Sequence, residues 1–506
     1  MVKIFFALAF SAFAVLSAVA VWLGGLNQDE GWYLYAAQLV AQGELPYRDF
    51  FYTQGPLMPL VYSAFAWTWR TWGLLGARVM TLAFGAAGIL FAAGLARRLV
   101  PEGRRGIAAL LVLLLLGNNL YHLYFCAIPK TYALAGLFVL AGFYLLTFAR
   151  AYAVFFAGVS LAFAAGARLS LGALLAVAGL FLLLRGPRRA WLWFALGGAL
   201  ALALVYGPFL SDPMAREGLL AAQGYHASRG GFDPLFAVGS VSRLVRWYFP
   251  VFVILALGLF AGRGSASPSA LCRWSLPLAG FLVVFCVQML APFPYEDYQV
   301  PVMALLTVAA VAVLLNARGP LPAAQLLLTV LVTGMVWAGS FGSPLLEKWM
   351  TNGQDRFWPR KKSVCEMAQL RSVAREIEAL DPGGKELLTQ DLYLAIETRR
   401  SVPRQLAMGP FSYWGAKLPY PGAERVMVDD AGMERLLTEA PCPVAAMSGY
   451  AFAIEAPACA ETPIDRQLAF WRLLRERYDL AFREEAFGQN ATPLLVLKRK
   501  PPQSGK

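Results

Sequence analysis

Residues 4–25 read IFFALAFSAFAVLSAVAVWLGG, and residues 26–33, which follow directly, read LNQDEGWY. The first stretch carries no charge and is long enough to cross a bilayer as a helix. Asp29 and Glu30 then place two adjacent carboxylates at the membrane surface, where their desolvation is costly. The pair is equally compatible with a solvated loop, with a cap on a helix starting near Gly31, and with a functional site.

Apolar runs of this kind recur along most of the 506 residues, which are 58% hydrophobic and only 15% charged. Soluble proteins carry about 25% charged residues. The first run is longer than the apolar core of a signal peptide, so we predict a retained span although residues 17–20 are small. Lipid offers the backbone no hydrogen-bond partners, so every span should be a helix. We predict about eleven spans, at 4–25, 76–96, 106–121, 131–149, 151–167, 170–185, 190–210, 247–262, 274–292, 299–316 and 321–341.

The loops between these spans alternate in charge, and this alternation predicts the topology. One set is basic, with Glu102 as its only acid; the other mixes acids with arginines. Lys and Arg mark the cytoplasmic side, so we predict an inside N-terminus and an outside C-terminus. The net charge of +13 then reflects topology rather than nucleic-acid binding. The basic set is Lys3, Arg97, Arg98, Arg104, Arg105, Arg150, Arg185, Arg188, Arg189, Arg263, Arg273 and Arg318; the acids are Asp29, Glu30, Glu44, Asp49, Asp212, Glu217, Asp233, Glu296 and Asp297.

The composition becomes polar and Pro/Gly-punctuated near Ser343, which predicts a membrane domain over 1–342 and a soluble domain over 343–506. Residues 373–380 have the pattern of an amphipathic helix that ends at an Asp-Pro-Gly-Gly sequence. Residues 387–389 and 494–497 resemble strands, so the soluble domain is predicted to be α/β. The first outer loop, 26–75, contains aromatic clusters suited to helices lying in the interface.

Polar side chains of the outer loops are the candidates for chemistry. Arg48 could hold a phosphate through paired hydrogen bonds, or could simply pair with Asp49. For Lys130 the alternative is snorkelling to the interface, and Arg168 would either snorkel or line a polar cavity. The remaining candidates lie in the second long loop and in a polar turn before a span, and surface exposure is the alternative for each. They are His226, Arg229, Arg243, Arg246, Tyr295, Glu296, Asp297 and Tyr298.

Other chemistries have little support in the sequence. There are only two histidines, His122 and His226, and no Cys/His spacing typical of a metal site. The chain has no glycine-rich phosphate loop and no nucleophile elbow.

Two stretches carry a family resemblance. Asp29-Glu30-Gly31-Trp32-Tyr33 through Gly43, followed by residues 47–49 and 54–57, resembles the first outer loop of the GT-C glycosyltransferases. Residues 388–391, 399–400 and 408–409 resemble the periplasmic domain of the same proteins. The nearest kin are bacterial members of the protein O-mannosyltransferase superfamily, including lipid-A aminoarabinose transferases and related lipopolysaccharide glycosyltransferases.

The resemblance implies an all-helical GT-C membrane domain with a C-terminal periplasmic α/β domain, in the bacterial inner membrane. It implies inverting transfer of a sugar from a polyprenyl-phosphate donor to a cell-envelope acceptor, which would be lipopolysaccharide, another glycan or a protein. Asp29 matches the family's first-loop aspartate and would be the general base. Glu30 would be the second catalytic residue, and would orient a loop donor or the acceptor.

The sequence departs from the family pattern at two places. Gln54 stands where aminoarabinose transferases carry a lysine, so the donor phosphate would be bound by Arg48, Arg243, Arg246 and Tyr298. Asn118, Asn119 and Lys130 occupy the loop in which many members have a second carboxylate, which weakens the case for a divalent metal and leaves it open. A transporter or flippase of lipid-linked sugars and a non-enzymatic membrane assembly protein are the alternative functions.

Overall fold

The computed structural model describes residues 2–228, 232–261, 268–291, 294–317, 322–341, 364–415, 418, 420–449, 462–489 and 491–501. The predicted boundary at Ser343 and the topology residues Arg263 and Arg318 lie outside these ranges, as does Arg229. Sixteen helices precede the boundary in the described part. They are α1 Val2–Ala18, α2 Gln28–Val40, α3 Leu57–Ser63, α4 Trp67–Leu99, α5 Arg105–Val112, α6 Leu120–Ala127, α7 Thr131–Leu145, α8 Ala151–Ala167, α9 Ala173–Arg185, α10 Arg188–Ser211, α11 Pro213–Ser228, α12 Pro234–Trp247, α13 Phe249–Ala261, α14 Pro268–Met289, α15 Val300–Asn316 and α16 Pro322–Phe341.

An apolar helix or bent helix pair lies at each predicted span. In the described part of the chain, four helices are long and apolar enough to cross a membrane: Lys3–Leu23, Trp67–Leu99, Arg188–Ser211 and Glu296–Asn316. Two pairs, α5 with α6 and α12 with α13, would each make one span, with bends of 71° and 80°. Five more apolar helices have 10–17 residues. The prediction of a polytopic helical domain is therefore confirmed.

The predicted span 106–121 is bent rather than straight, and side-chain hydrogen bonds accompany the bend. Between α5 and α6, Asn118 donates to the carbonyl of Leu113 at 3.3 Å, and the Asn119 side chain accepts from the amide of His122 at the start of α6. These asparagines satisfy backbone groups that a break in a helix exposes. A second departure lies in α4, which already begins at Trp67 and changes direction at Gly73, where φ is +63°.

The C-terminal region is an α/β domain, as predicted. Its helices are α17 Glu366–Leu380, α18 Leu392–Thr398, α19 Asp430–Glu439 and α20 Ile464–Arg477, and its strands are β1 Leu388–Thr389, β2 Val444–Met447, β3 Tyr478–Phe487 and β4 Thr492–Arg499. The sheet order is β1-β2-β4-β3, with β1 and β2 parallel and the other neighbours antiparallel. The predicted helix end at Asp381 and both predicted strands are present.

The first loop packs with the C-terminal domain in a single hydrophobic core, separate from the core between the spans. The Tyr35 hydroxyl accepts a hydrogen bond from the Val402 amide at 2.9 Å. Glu397 accepts one from the Leu74 amide at 2.8 Å, directly after the change of direction at Gly73. The described residues of 26–75 and 364–501 therefore form one layer at one end of the helices.

The basic loops meet at the opposite end. Arg104 donates to the carbonyl of Ala317 at 3.0 Å, and Asn316 donates to that of Leu99 at 2.9 Å. The helix α15 leads from this end to the layer formed by the first loop, over 17 residues or about 25 Å. Among the described residues, these basic positions and the acidic turns at Asp29 and Asp297 are thus separated along the helix axes.

Candidate active site

The turn between α1 and α2 is held by buried polar contacts. Asn27 caps α2: its side chain accepts from the amide of Asp29, and Glu30 accepts from the Asn27 amide at 2.9 Å. Glu30 also forms a fully buried ion pair with Arg78 of α4, at 2.6 Å and 2.9 Å. Arg78 further donates to the carbonyls of Val21, Gly24 and Gly25, where α1 ends. This network fixes the backbone that carries Asp29.

The Asp29 side chain points to a different set of partners. Its Oδ2 lies 2.8 Å from Nζ of Lys130, and its Oδ1 accepts from Nε1 of Trp32 at 3.2 Å. Adjacent helical side chains diverge by about 100°, which explains why Asp29 and Glu30 reach different neighbours. The side chain of Asp29 is 25% exposed, so a ligand can approach it.

Lys130 connects Asp29 to a second carboxylate. Its Nζ lies 3.0 Å from Oδ2 of Asp297, which also accepts from the Tyr132 hydroxyl at 3.0 Å. Lys130 has extended backbone just before α7, whereas Asp297 lies in the 3-10 turn that leads into α15. Only 4% of the lysine side chain is exposed, which contradicts the snorkelling alternative.

Arg168 lies beside these carboxylates at the end of α8. Its guanidinium stacks on the ring of Tyr298 at 4.2 Å and faces that of Tyr132 at 5.2 Å. Such contacts hold an arginine over an aromatic face while its N–H groups point sideways. The Nε of Arg168 is buried and has no hydrogen-bond partner among the described residues.

A further ion pair adjoins the cluster. Glu296, next to Asp297 in the chain, lies 3.1 Å from Nε of Arg243 on α12. Arg243 also donates to the Ser240 hydroxyl at 3.0 Å. We call six residues the charge cluster, in which three acids balance three bases: Asp29, Lys130, Arg168, Arg243, Glu296 and Asp297.

The remaining predicted residues lie elsewhere. Arg48 pairs with Asp49 at 2.7 Å and faces Asp212 at 3.9 Å, so the alternative of a local pair describes it. The backbone carbonyl of Gln54 accepts from the Tyr47 hydroxyl.

Arg246 lines a separate cavity of about 370 Å³ between α6, α12 and α16, together with Asn119, Trp247 and Ser340. His226 belongs to the last turns of α11, and its side chain lies outside the described part.

Sequence reasoning missed Arg78 and Tyr132. Arg78 is the only charged residue of the predicted span 76–96 and lies near one end of it, and such a residue generally has a buried partner. Tyr132 follows Lys130 by two residues but carries no charge pattern that would have marked it. Burial and then the carboxylate of Asp29 raise the pKa of a third tyrosine, Tyr33 of α2, so its phenol remains protonated.

A divalent metal does not fit the charge cluster. Among the described residues, no three His, Cys, Asp or Glu side chains come together as metal ligands. The carboxylates of Asp29 and Asp297 both already contact the ammonium group of Lys130. Mg²⁺ and Ca²⁺ require six or more oxygen ligands, and a cation here would face that ammonium directly.

Solved structures share this architecture. ArnT from Cupriavidus metallidurans, in the apo state, matches 99% of the chain and 98% of its own at a TM-score of 0.62 and 15% identity. The same protein bound to undecaprenyl phosphate matches with a TM-score of 0.57 over 100% of this chain and 99% of its own, again at 15% identity. The apo oligosaccharyltransferase of Archaeoglobus fulgidus matches at 0.51 and 11% identity, over 98% of this chain and 75% of its own.

The chain has the GT-C glycosyltransferase fold. No protein-family model matches the sequence, and no curated protein matches it at a significant level. At these identities the likeness establishes the fold of a multi-pass membrane protein, and the chemistry must be argued from the charge cluster itself.

Proposed function

We propose that this protein is an inverting glycosyltransferase that moves a sugar from a polyprenyl-phosphate donor to a cell-envelope acceptor on the periplasmic face. The observation that carries the proposal is Asp29: a partly exposed carboxylate at the start of α2, paired with the buried Lys130, in a chain with the GT-C fold. The likeness to an ArnT structure bound to undecaprenyl phosphate supports a lipid-phosphate donor.

The proposed step needs one proton acceptor and several cations. The acceptor hydroxyl loses its proton to Asp29 while its oxygen bonds to the anomeric carbon. The bond from that carbon to the lipid phosphate breaks, and its electron pair leaves with the phosphate. Preorganised cations stabilise this developing charge. Arg168 and Arg243 are our candidates, because both have side chains within the charge cluster.

In this proposal Glu30 supports Asp29 through Arg78 and does not touch the substrate. Both of its carboxylate oxygens are engaged by the buried guanidinium. Tyr298 acts by holding the plane of Arg168.

The test is sugar transfer by the purified protein from synthetic polyprenyl-phosphate sugars. Asp29→Asn keeps the shape and removes the proton acceptor, so turnover should fall about 10²-fold or more with donor binding retained. Asp49→Asn is the matched control, because it makes the same change in the same loop at a residue paired with Arg48. Near-normal turnover by Asp29→Asn would refute the assignment and direct the search to Glu296 and Asp297.

Donor affinity provides a second test. Loss of one charge-assisted hydrogen bond costs about 1.5–3 kcal/mol, so Arg168→Gln and Arg243→Gln should each weaken donor binding roughly 10- to 150-fold. Arg48→Gln and Arg246→Gln test the remaining predicted phosphate ligands. If donor binding weakened only in Arg48→Gln and Arg246→Gln, the phosphate site would lie outside the charge cluster.

A further inference from the structure

We infer that Lys130 supplies, as a fixed ammonium group, the positive charge that bridges Asp29 and Asp297, so that the site works without a divalent cation. Lys130 is then a positioning residue. The inference deepens the proposed function and rests on it for the role of Asp29.

The first support is geometric. Nζ of Lys130 lies 2.8 Å from Asp29 and 3.0 Å from Asp297, and these carboxylates belong to elements that are 268 residues apart in the chain. A bridge between two such distant elements needs a group of fixed position. The Lys130 amide donates to the carbonyl of Ile128 at 2.7 Å, and the next residue begins α7, so the backbone at Lys130 is held in place from both sides.

The second support is the surroundings of the ammonium group. The rings of Tyr132 and Phe125 lie 4.8 Å and 5.6 Å from Nζ, and such rings stabilise a cation. With the side chain almost fully buried, displacement of Nζ into water would break both ion pairs at once. Removing one partner of a buried pair leaves an uncompensated charge, so the ammonium is expected to stay.

The third support is charge balance. Asp29 and Asp297 carry two negative charges, and Lys130 with Arg168 carries two positive charges. A divalent cation added to this set would leave a net charge of +2 in a poorly hydrated site, close to an ammonium that already contacts both carboxylates. A lysine in this position thus takes the electrostatic role of a metal and excludes it.

The experiment measures metal binding and turnover separately. Purified protein is stripped with EDTA and titrated with Mn²⁺ by electron paramagnetic resonance, and Asp29→Asn is measured in parallel. We expect the two proteins to bind Mn²⁺ equally weakly. Wild-type Mn²⁺ binding that is tighter than in Asp29→Asn would overturn the inference, because a metal would then reach the carboxylate in spite of Lys130.

The same titration on Lys130→Gln tests whether the site binds Mn²⁺ once the ammonium group is removed. Removal of the ammonium leaves two facing carboxylates, so Mn²⁺ affinity should rise at least 10-fold and be lost again in Lys130→Gln/Asp297→Asn. EDTA should not change sugar transfer by the wild type. Transfer by Lys130→Gln should be at least 10-fold slower than wild type, and transfer by Lys130→Arg should lie between the two. Arg105→Gln, an exposed cation at the opposite end, is the control.

The two ideas fail separately. Absence of sugar transfer under every condition would refute the proposed function, whereas the Mn²⁺ titration does not depend on transfer. Loss of transfer in EDTA, restored by Mn²⁺ or Mg²⁺, would overturn the lysine bridge and leave the glycosyltransferase proposal standing.

Discussion

Asp29 and Glu30 are neighbours in the chain, but one contacts the charge cluster and the other a buried arginine. Glu30 is 0% exposed and engages Arg78, which in turn satisfies three carbonyls at the end of the first span. A buried pair of this kind stabilises mainly because each partner would be costly alone. The acidic pair therefore combines one residue proposed for chemistry with one that fixes its position.

We predict that Glu30→Gln lowers stability far more than turnover. Arg78 would remain buried without a counter-charge, which costs about 3–5 kcal/mol. The apparent melting temperature in detergent should fall clearly, while turnover per folded molecule falls less than in Asp29→Asn. In Glu30→Gln/Arg78→Gln the loss should be smaller than the sum of the single losses, since the two residues interact. Additive losses would show that the pair is not coupled.

At the residue scale, the sequence identified charges but not their partners. Lys130 and the turn at 295–298 each had a plain surface alternative, because nothing in a single sequence links positions so far apart. In the structure Lys130, Glu296 and Asp297 are buried, and each meets an opposite charge. Positions at span ends could be predicted from hydropathy, whereas ion pairs depend on how the spans pack.

At the scale of elements, the charge cluster forms where four connections converge. These connections are the turn before α2, the extended residue before α7, the end of α8 and the 3-10 turn before α15. Alternation of charge along the chain predicted one side of the membrane for the turns before α2 and before α15, and in the structure these two turns meet at Lys130. The bend between α5 and α6 falls inside the predicted span 106–121, where Asn118 and Asn119 interrupt the apolar sequence. The bend between α12 and α13 lies at the predicted start of the span 247–262.

The contact between α2 and the C-terminal domain gives a second prediction. In Tyr35→Phe the buried amide of Val402 loses its acceptor, which costs about 1–3 kcal/mol. Hydrogen exchange around Val402 should speed up, and the apparent melting temperature should fall. Tyr152→Phe, at an exposed tyrosine of α8, serves as the control. Equal exchange in the variant and the wild type would mean that this hydrogen bond does not hold the layer together.

A third prediction concerns the buried Asp391, which follows β1. Burial raises its pKa to about 6, against an opposing effect of hydrogen bonds from Tyr393 and Ser448. In the unfolded chain this carboxyl titrates near 3.8. Because the folded pKa is the higher one, the folded state binds the proton more tightly. The stabilisation that comes from this tighter proton binding is fully present below pH 3.8 and is lost as the pH rises through 6.

The variant Asp391→Asn should therefore be more stable than the wild type at pH 7, by up to roughly 3 kcal/mol. The gap should close as the pH falls from 6 towards 4. Apparent melting temperatures of both proteins across this window measure the effect. A constant difference at every pH would show that Asp391 does not titrate in this range.

For the molecule as a whole, two hydrophobic cores meet at the charge cluster. The membrane core and the C-terminal α/β fold were predictable from composition. The inclusion of the first loop in the C-terminal core was not, because its aromatic residues suit a membrane interface just as well. This shared core puts the charge cluster at the boundary between two layers, which suits the proposed transfer from a lipid-linked donor to a cell-envelope acceptor.

The orientation of the whole molecule is the last prediction. The first loop and the C-terminal domain share one end, and the basic loops share the other, so a single orientation fixes both. The excess of Lys and Arg at the second end predicts that it is cytoplasmic. Single cysteines at the exposed positions Gln42 and Glu476, in a cysteine-free background, should react with an impermeant maleimide on cells whose outer membrane alone is opened.

Single cysteines at Arg98 and Arg188, also exposed, should react only after the inner membrane is permeabilised. If the cysteines at Gln42 and Glu476 reacted only after that step, the orientation of the molecule would be the opposite of the predicted one. Asp29 would then face the cytoplasm, and a periplasmic transferase would be ruled out. Mixed labelling within one pair would contradict the shared ends themselves, since Gln42 and Glu476 belong to the same layer.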